Sequence, residues 1–214
     1  TSGYLNGQLL DITFNLLRPN ELIWPYFINN YLLGKNTKPL DILFWNADSS
    51  NLPYKMYNFY LREMCLKNKL NKPNTLSLLN TPIDLGKIDV PAFFLAAESD
   101  HITLWKGIFK GISCLSGPTE LVLTESGHVR GVLNPPGDTK YNFKSNSAFN
   151  VSSDFKVHAK EWFDTATINP GSWWPHWDKW LAQYSSKKVP ARKPGAGGLK
   201  VLGDAPGDYV KVKD

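Results

Sequence analysis

Two short segments about thirty residues apart constrain the fold more than anything else in this chain. Val90–Ala97 (VPAFFLAA) is a compact apolar run, and Thr119–Thr124 (TELVLT) alternates apolar and polar residues at period two. Both read as strands. Between them Lys106–Leu115 reads as a helix, closed by Gly117-Pro118. Strand, loop, helix, strand at this spacing is a βαβ unit, and such a unit implies parallel strands in an α/β fold.

The rest of the chain is organised around that unit. Residues 4–34 read as helical, interrupted at Pro19 and ending at Gly34 as a C-cap. Their stretch from Glu21 to Leu33 is apolar nearly all round, which predicts a buried segment or part of an apolar lid. Leu40–Trp45 (LDILFW) fits a buried strand or the start of an active-site loop, and Asn46–Pro53 is turn-rich. Tyr54–Asn68 predicts an amphipathic helix, and Phe155–Thr165 and Trp173–Gln183 also read as helical, the last with Pro175 in its first turn. Lys187–Gly198 has the composition of a linker or tail, and Pro206–Lys213 fits a short edge segment.

Composition excludes several function classes. With 42% hydrophobic and 20% charged residues, the 214-residue chain is globular and not disordered. The net charge is +5, but residues 186–214 hold seven Lys or Arg against three Asp, which leaves one positive charge for the body. A nucleic-acid partner calls for a basic stripe with interleaved aromatics, and none is present. No run of ~18 apolar residues predicts a transmembrane helix. No secretory signal is found, so a cytoplasmic location is expected, and the lack of an initiator Met suggests a piece of a longer protein. Cys65 and Cys114 are too few for a disulfide framework and read as packing residues. No His or Cys pair has metal-ligand spacing, so no metal is expected.

The chemistry-bearing residues lie in two loops, each after a predicted strand, where open α/β sheets place their ligands. Glu98-Ser99-Asp100-His101 follows the first strand and Ser126-Gly127-His128 the second. In an α/β-hydrolase the nucleophile comes first in the chain, then Asp or Glu, then His. Asp100 and His128 have that order and placement. The carboxylate fixes the imidazole tautomer, and the other ring nitrogen takes the proton of the nucleophile. The plainer alternative is that Asp100 only caps the following helix and that Gly127-His128 is an ordinary turn. His101 competes for the role of base but is adjacent to Asp100. His158 and His176 fall on predicted helices and read as structural. Neither G-x-S-x-G nor G-x-C-x-G occurs; the nearest segment, Gly111–Gly117, has the wrong spacing and follows Asp100.

Seven blocks give the chain a family resemblance: TFNLLRPNELIW (13–24), FWNADSSNLP (44–53), TPIDLGKIDVP (81–91), SDHITLW (99–105), SGHVRGVLNPP (126–136), GSWWPHWDKWL (171–181) and APGDYVKVKD (205–214). In this order they resemble the C-terminal part of polyhydroxyalkanoate synthases, most closely the class I type acting on short-chain monomers. The resemblance implies the C-terminal portion of an α/β-hydrolase fold: residues 1–75 as part of a helical cap, 76–185 as core, and 186–214 as a basic linker and tail. It implies a sheet of about eight strands, of which this chain offers the last two or three. It also implies an acyltransferase that joins 3-hydroxyacyl groups from coenzyme A thioesters into polyester, using a Cys-Asp-His triad. The acid falls on Asp100 and the base on His128, while the Cys lies upstream of anything in this chain, so the chain alone is expected to be inactive. Coenzyme A enters as part of the substrate, with no separate cofactor. Implied partners are the 3-hydroxyacyl-CoA, the polyester granule surface and the missing N-terminal half, with a homodimer left open. Two other readings are a non-catalytic module that docks on granules or on an intact synthase, and a different α/β-hydrolase with a Ser nucleophile. Whether Asp100 or His128 activates the hydroxyl that extends the polymer is open at this level.

Overall fold

The computed structural model describes residues 3–17, 19–36, 48–147, 155–185 and 187–212. The LDILFW segment lies outside them. The chain divides into two compact units, one formed by Thr1–Lys67 with Ala191–Asp214 and the other by Asn68–Pro190.

The first unit is helical. Strand β1 (Tyr4–Leu5) pairs antiparallel with β2 (Leu52–Pro53). Helices α1 (Gly7–Leu17), α2 (Pro19–Leu22) and α3 (Trp24–Tyr26) follow, and α3 runs on into a π-helical stretch, Phe27–Leu32. Helix α4 (Tyr54–Phe59) continues as a second π-helical stretch, Tyr60–Leu66. At the start of α1, a Cβ on Gly7 would sit 2.8 Å from the Ser50 carbonyl oxygen, so only glycine lets the two segments approach this closely. Deep burial, one of the two expectations for Glu21–Leu33, is not met in the described residues. Leu16, Leu17, Tyr31 and Leu32 are all exposed, and Gly7 is the one buried residue of α1. Cys65, expected to pack, is exposed as well. Tyr209–Lys211 is a 3₁₀ turn and not the expected edge segment.

The second unit opens with a hairpin of β3 (Leu76–Leu78) and β4 (Thr81–Ile83), turned at Leu79-Asn80, both with positive φ. Its main sheet has the order β5-β6-β7-β8, with β5 at Ala92–Ala97, β6 at Thr119–Thr124, β7 at Phe143–Ser145 and β8 at Thr167–Asn169. The predicted βαβ unit is present: β5 and β6 run parallel over six residues, and α5 (Trp105–Ile112) connects them. The sheet is mixed, because β7 and β8 are antiparallel, and among the described residues it has four strands where two or three were expected.

Alternation along the strands sends side chains to two faces, each covered by helix. On one face Ala96, Leu121 and Leu123 pack with Phe109 and Ile112 of α5 and with Ala159 and Trp162 of α7 (Phe155–Thr165). On the other, Val122 and Phe143 pack with Trp173 and the start of α8 (Trp174–Ala182). An aromatic chain binds the first face together: Trp105 stacks on Phe163 at 5.6 Å, and Phe109 meets the Trp162 edge at 6.3 Å. Full burial of side chains this large contributes roughly 2–3 kcal/mol each, so the sheet and its two helical layers form the stable platform of the molecule. Among the described residues, no helix is long and apolar enough to cross a membrane.

Candidate active site

Parallel pairing of β5 and β6 brings the loops at their C-terminal ends together. The register aligns Ala97 with Thr124, and Glu98 N–H donates to the Thr124 carbonyl at 2.8 Å. One step further, Ser99 N–H donates to the Ser126 carbonyl at 2.9 Å. The loops are therefore tied to each other just before Asp100 and His128. Ser126 has φ +72°, a left-handed conformation that costs energy in a non-glycine residue and turns the chain sharply into Gly127-His128. The short helix α6 (Arg130–Leu133) follows at once. A Cβ on Gly131 would stand 2.2 Å from the Glu125 carbonyl oxygen and 2.6 Å from Thr124 Oγ1, so a side chain there would push the turn away from its strand.

Asp100 and His128 meet. His128 Nδ1 lies 2.7 Å from Asp100 Oδ2. The other carboxylate oxygen, Oδ1, accepts from the amides of Ile102 at 2.8 Å and Thr103 at 2.9 Å. Both readings of this Asp thus apply at once, on different oxygens: one caps the turn into α5, the other faces the imidazole. The Asp100 side chain is 7% exposed, and that of His128 is 48% exposed. Burial pushes the Asp100 carboxyl up, but the hydrogen bonds from His128, Thr103 and Ile102 outweigh it and hold the group below its ordinary value. An ionised carboxylate only accepts, so Nδ1 carries the shared proton, and in the neutral form of the ring Nε2 is the acceptor. Chemically, this is an oriented imidazole with its basic nitrogen turned away from the carboxylate and its ring accessible.

The other histidines are placed differently. His101 is in the turn after Asp100 and is exposed. His158 sits within 3.5 Å of Glu161 on its own helix, and His176 Nε2 pairs with Glu120 on β6. Among the described residues, no three His, Cys, Asp or Glu side chains gather as metal ligands. A cavity of about 380 Å³ opens beside α8, lined in part by Phe143, Gly171, His176 and Lys179, and neither Asp100 nor His128 borders it.

Several residues around the pair carried no signal in the sequence. Glu125 accepts from Asn142 N at 2.9 Å and from Asn142 Nδ2 at 3.2 Å. Lys144 Nζ donates to Glu98 Oε2 at 2.6 Å. A hydrogen bond with Ser126, against a burial effect and with Lys140 and Arg130 nearby, lowers the Tyr141 phenol from its ordinary value. Glu98 and Ser126 stand in the two loops already singled out, but Glu125, Asn142 and Lys144 are isolated polar residues without a motif, and chain separations of 17 and 46 hide these contacts from any local pattern.

No protein-family model matches the chain. Its similarity to individual proteins is extensive. It is 43% identical over 211 residues to the poly(3-hydroxyalkanoate) polymerase of Methylorubrum extorquens, covering 99% of this chain and 34% of the relative. It is 42% identical over 212 residues to the poly(3-hydroxyalkanoate) polymerase subunit PhaC of Rhizobium meliloti, covering 99% of this chain and 33% of the relative. Against the subunit of the same name from Cupriavidus necator the identity is 39% over 210 residues, covering 98% of this chain and 35% of the relative. The chain spans about a third of the length of the curated relatives it matches. The resemblance seen in separate motifs thus extends over the chain from end to end, and by sequence the chain is the counterpart of the C-terminal part of the poly(3-hydroxyalkanoate) polymerases.

Proposed function

We propose that this chain supplies the acid and the base of a polyhydroxyalkanoate synthase active site on an α/β-hydrolase fold, with Asp100 and His128 as two members of a Cys-Asp-His triad. The observation that carries this reading is the 2.7 Å hydrogen bond between His128 Nδ1 and Asp100 Oδ2 at the C-terminal ends of parallel neighbouring strands. The relatives' names supply the reaction class, and the homology does not favour a docking module.

In this reading Nε2 of His128 takes the proton of a cysteine thiol from the remainder of the protein. A thiol has an ordinary pKa near ~8.5, so a neighbouring base raises the thiolate fraction at neutral pH. The thiolate attacks the thioester carbonyl of a 3-hydroxyacyl-CoA. The carbon–sulfur bond to coenzyme A breaks, and the imidazolium returns the proton to the leaving thiolate. Asp100 stays ionised throughout and stabilises the imidazolium. In chain extension the imidazole takes the proton of an incoming hydroxyl as that oxygen attacks the acyl-enzyme; the carbon–sulfur bond to the cysteine breaks, and the imidazolium returns the proton to the cysteine thiolate. Residues 1–75 belong to an apolar cap that keeps water from the acyl-enzyme, since hydrolysis would end the polymer. The chain by itself carries no attacking group and is inactive.

The test is complementation. The 214-residue chain is mixed with the Cys-bearing remainder of the protein, and coenzyme A release from 3-hydroxybutyryl-CoA is followed. Release is expected from the mixture and from neither part alone. His128→Ala is expected to lower it by about 10³-fold or more, the scale lost when one member of a triad acting as a unit is removed. A stable complex that releases no coenzyme A, or a His128→Ala variant within tenfold of the parent, overturns the proposal.

A further inference from the structure

Strand β7 lies outside the βαβ unit that carries the dyad, yet alternate residues at its start hold both dyad loops. Asn142, just before the strand, binds Glu125, which stands three residues ahead of His128. Its amide and its Nδ2 donate to the two carboxylate oxygens at 2.9 and 3.2 Å, and its carbonyl accepts from Glu125 N–H at 3.0 Å. Asn142 is anchored in turn by Gly171 N–H, which donates to its Oδ1 at 3.4 Å. Two positions on, Lys144 reaches past β6 to Glu98, two residues ahead of Asp100, at 2.6 Å. The Lys144 side chain is 14% exposed, and its ammonium lies 4.6 Å from the centre of the Phe163 ring.

A half-buried ion pair is weak evidence for stability, because desolvation offsets most of the Coulomb attraction. An apolar residue at position 144 would suit the face formed by Phe163 and its neighbours at least as well. What the pair and the Glu125–Asn142 bracket do supply is direction. A carboxylate held at two oxygens, and another held by one ammonium, fix the backbone just upstream of Asp100 and of His128 relative to a common strand. The separation of the two dyad side chains depends on those two backbone positions.

We propose that β7 is the clamp that sets the Asp100–His128 geometry, with Glu98, Glu125, Asn142 and Lys144 as positioning residues. This rests on the reading of Asp100 and His128 as the acid and base. Loss of the clamp leaves every reacting group in place and spoils their alignment, so it lowers kcat and leaves substrate affinity almost untouched.

The experiment uses the full-length polymerase carrying this chain, with Lys144→Met, Lys144→Arg and Asn142→Ala, and with His128→Ala alongside. Lys144→Met and Asn142→Ala are each expected to lower kcat about tenfold with KM within twofold, since small misplacements of oriented groups cost rate of this order. Lys144→Arg, which keeps the charge, is expected to recover most of the loss. In the 214-residue chain, the NMR signal of the His128 Nδ1 proton is expected to broaden by exchange in both loss variants while circular dichroism is unchanged. The clamp is overturned if kcat stays within twofold in Lys144→Met and Asn142→Ala, or if the Nδ1 proton is as protected as in the parent. It is also overturned if Lys144→Arg is as poor as Lys144→Met. Should a variant fail to fold, Glu125→Gln, which replaces one of the two acceptors for Asn142 by a donor, gives the same readings. An active His128→Ala variant defeats the reading of the dyad itself. An inactive one beside a fully active Lys144→Met defeats the clamp alone.

Discussion

The helices of the first unit and the strands of the second draw on the same apolar residue types and put them to opposite use. In the second unit, alternation at period two gives each strand two distinct faces, and each face meets a helical layer; Val122, Leu123 and Phe109 are completely covered. In the first unit Leu17, Trp24, Tyr31 and Leu32 are half or more exposed. Amount of apolar surface therefore does not decide burial here. A packed layer over the face does, because a side chain is buried only if its neighbours on the same face are buried with it.

The contrast makes mutational sensitivity a regional property. The largest effect is expected at Trp162, which is 1% exposed and central to the aromatic layer on the first sheet face. Trp162→Ala should cost about 3–5 kcal/mol in urea unfolding followed by near-ultraviolet circular dichroism. A cost below about 1 kcal/mol would mean that the sheet's helical cover is loose and the two units are alike.

The next test concerns acid. Asp100 has a folded-state pKa below its ordinary value, so between the two values the unfolded chain binds the proton that the folded chain does not. The stabilisation from this group is complete above the unfolded value, near ~3.9, and is lost as pH falls through the folded one. The stability difference between the parent and Asp100→Asn should therefore shrink below about pH 4 in urea unfolding. A difference that is constant from pH 6 down to about pH 2.5 would show that the carboxylate gains nothing from its three hydrogen bonds. The smallest effect is expected in the first unit. Leu17→Ala, at a side chain 62% exposed, should change stability by less than about 0.5 kcal/mol. A loss like that of Trp162→Ala would erase the comparison altogether.

The same contrast explains what was legible in the sequence. β5, β6 and the helix between them were readable because each is six or more residues long with one consistent pattern, and Asp100 and His128 were readable because each directly follows such a strand. β7 and β8 were missed. FKS and TIN are three residues each, too short for any period, and they become strands only by pairing with β6 and with each other. The β3–β4 hairpin was missed for a related reason: Pro82 removes a donor from β4 and masks the strand pattern. The bracket around the dyad was invisible because a lone Glu, Asn or Lys in a loop reads as solvated surface, and only the antiparallel return of β7 brings residues 142 and 144 to the loop ends.

The sheet's two margins are built unequally. β8 is a three-residue margin flanked by Thr167 and Asn169, little of a template for anything that approaches it. β5 offers six residues, AFFLAA, and among the described residues pairs on one side only. Any strand joining this sheet would therefore find its longest landing beside β5, and one docked there in parallel would end next to the loop that carries Asp100. The two margins thus differ in kind: one terminates the sheet, and the other brings whatever extends it beside the Asp100 loop.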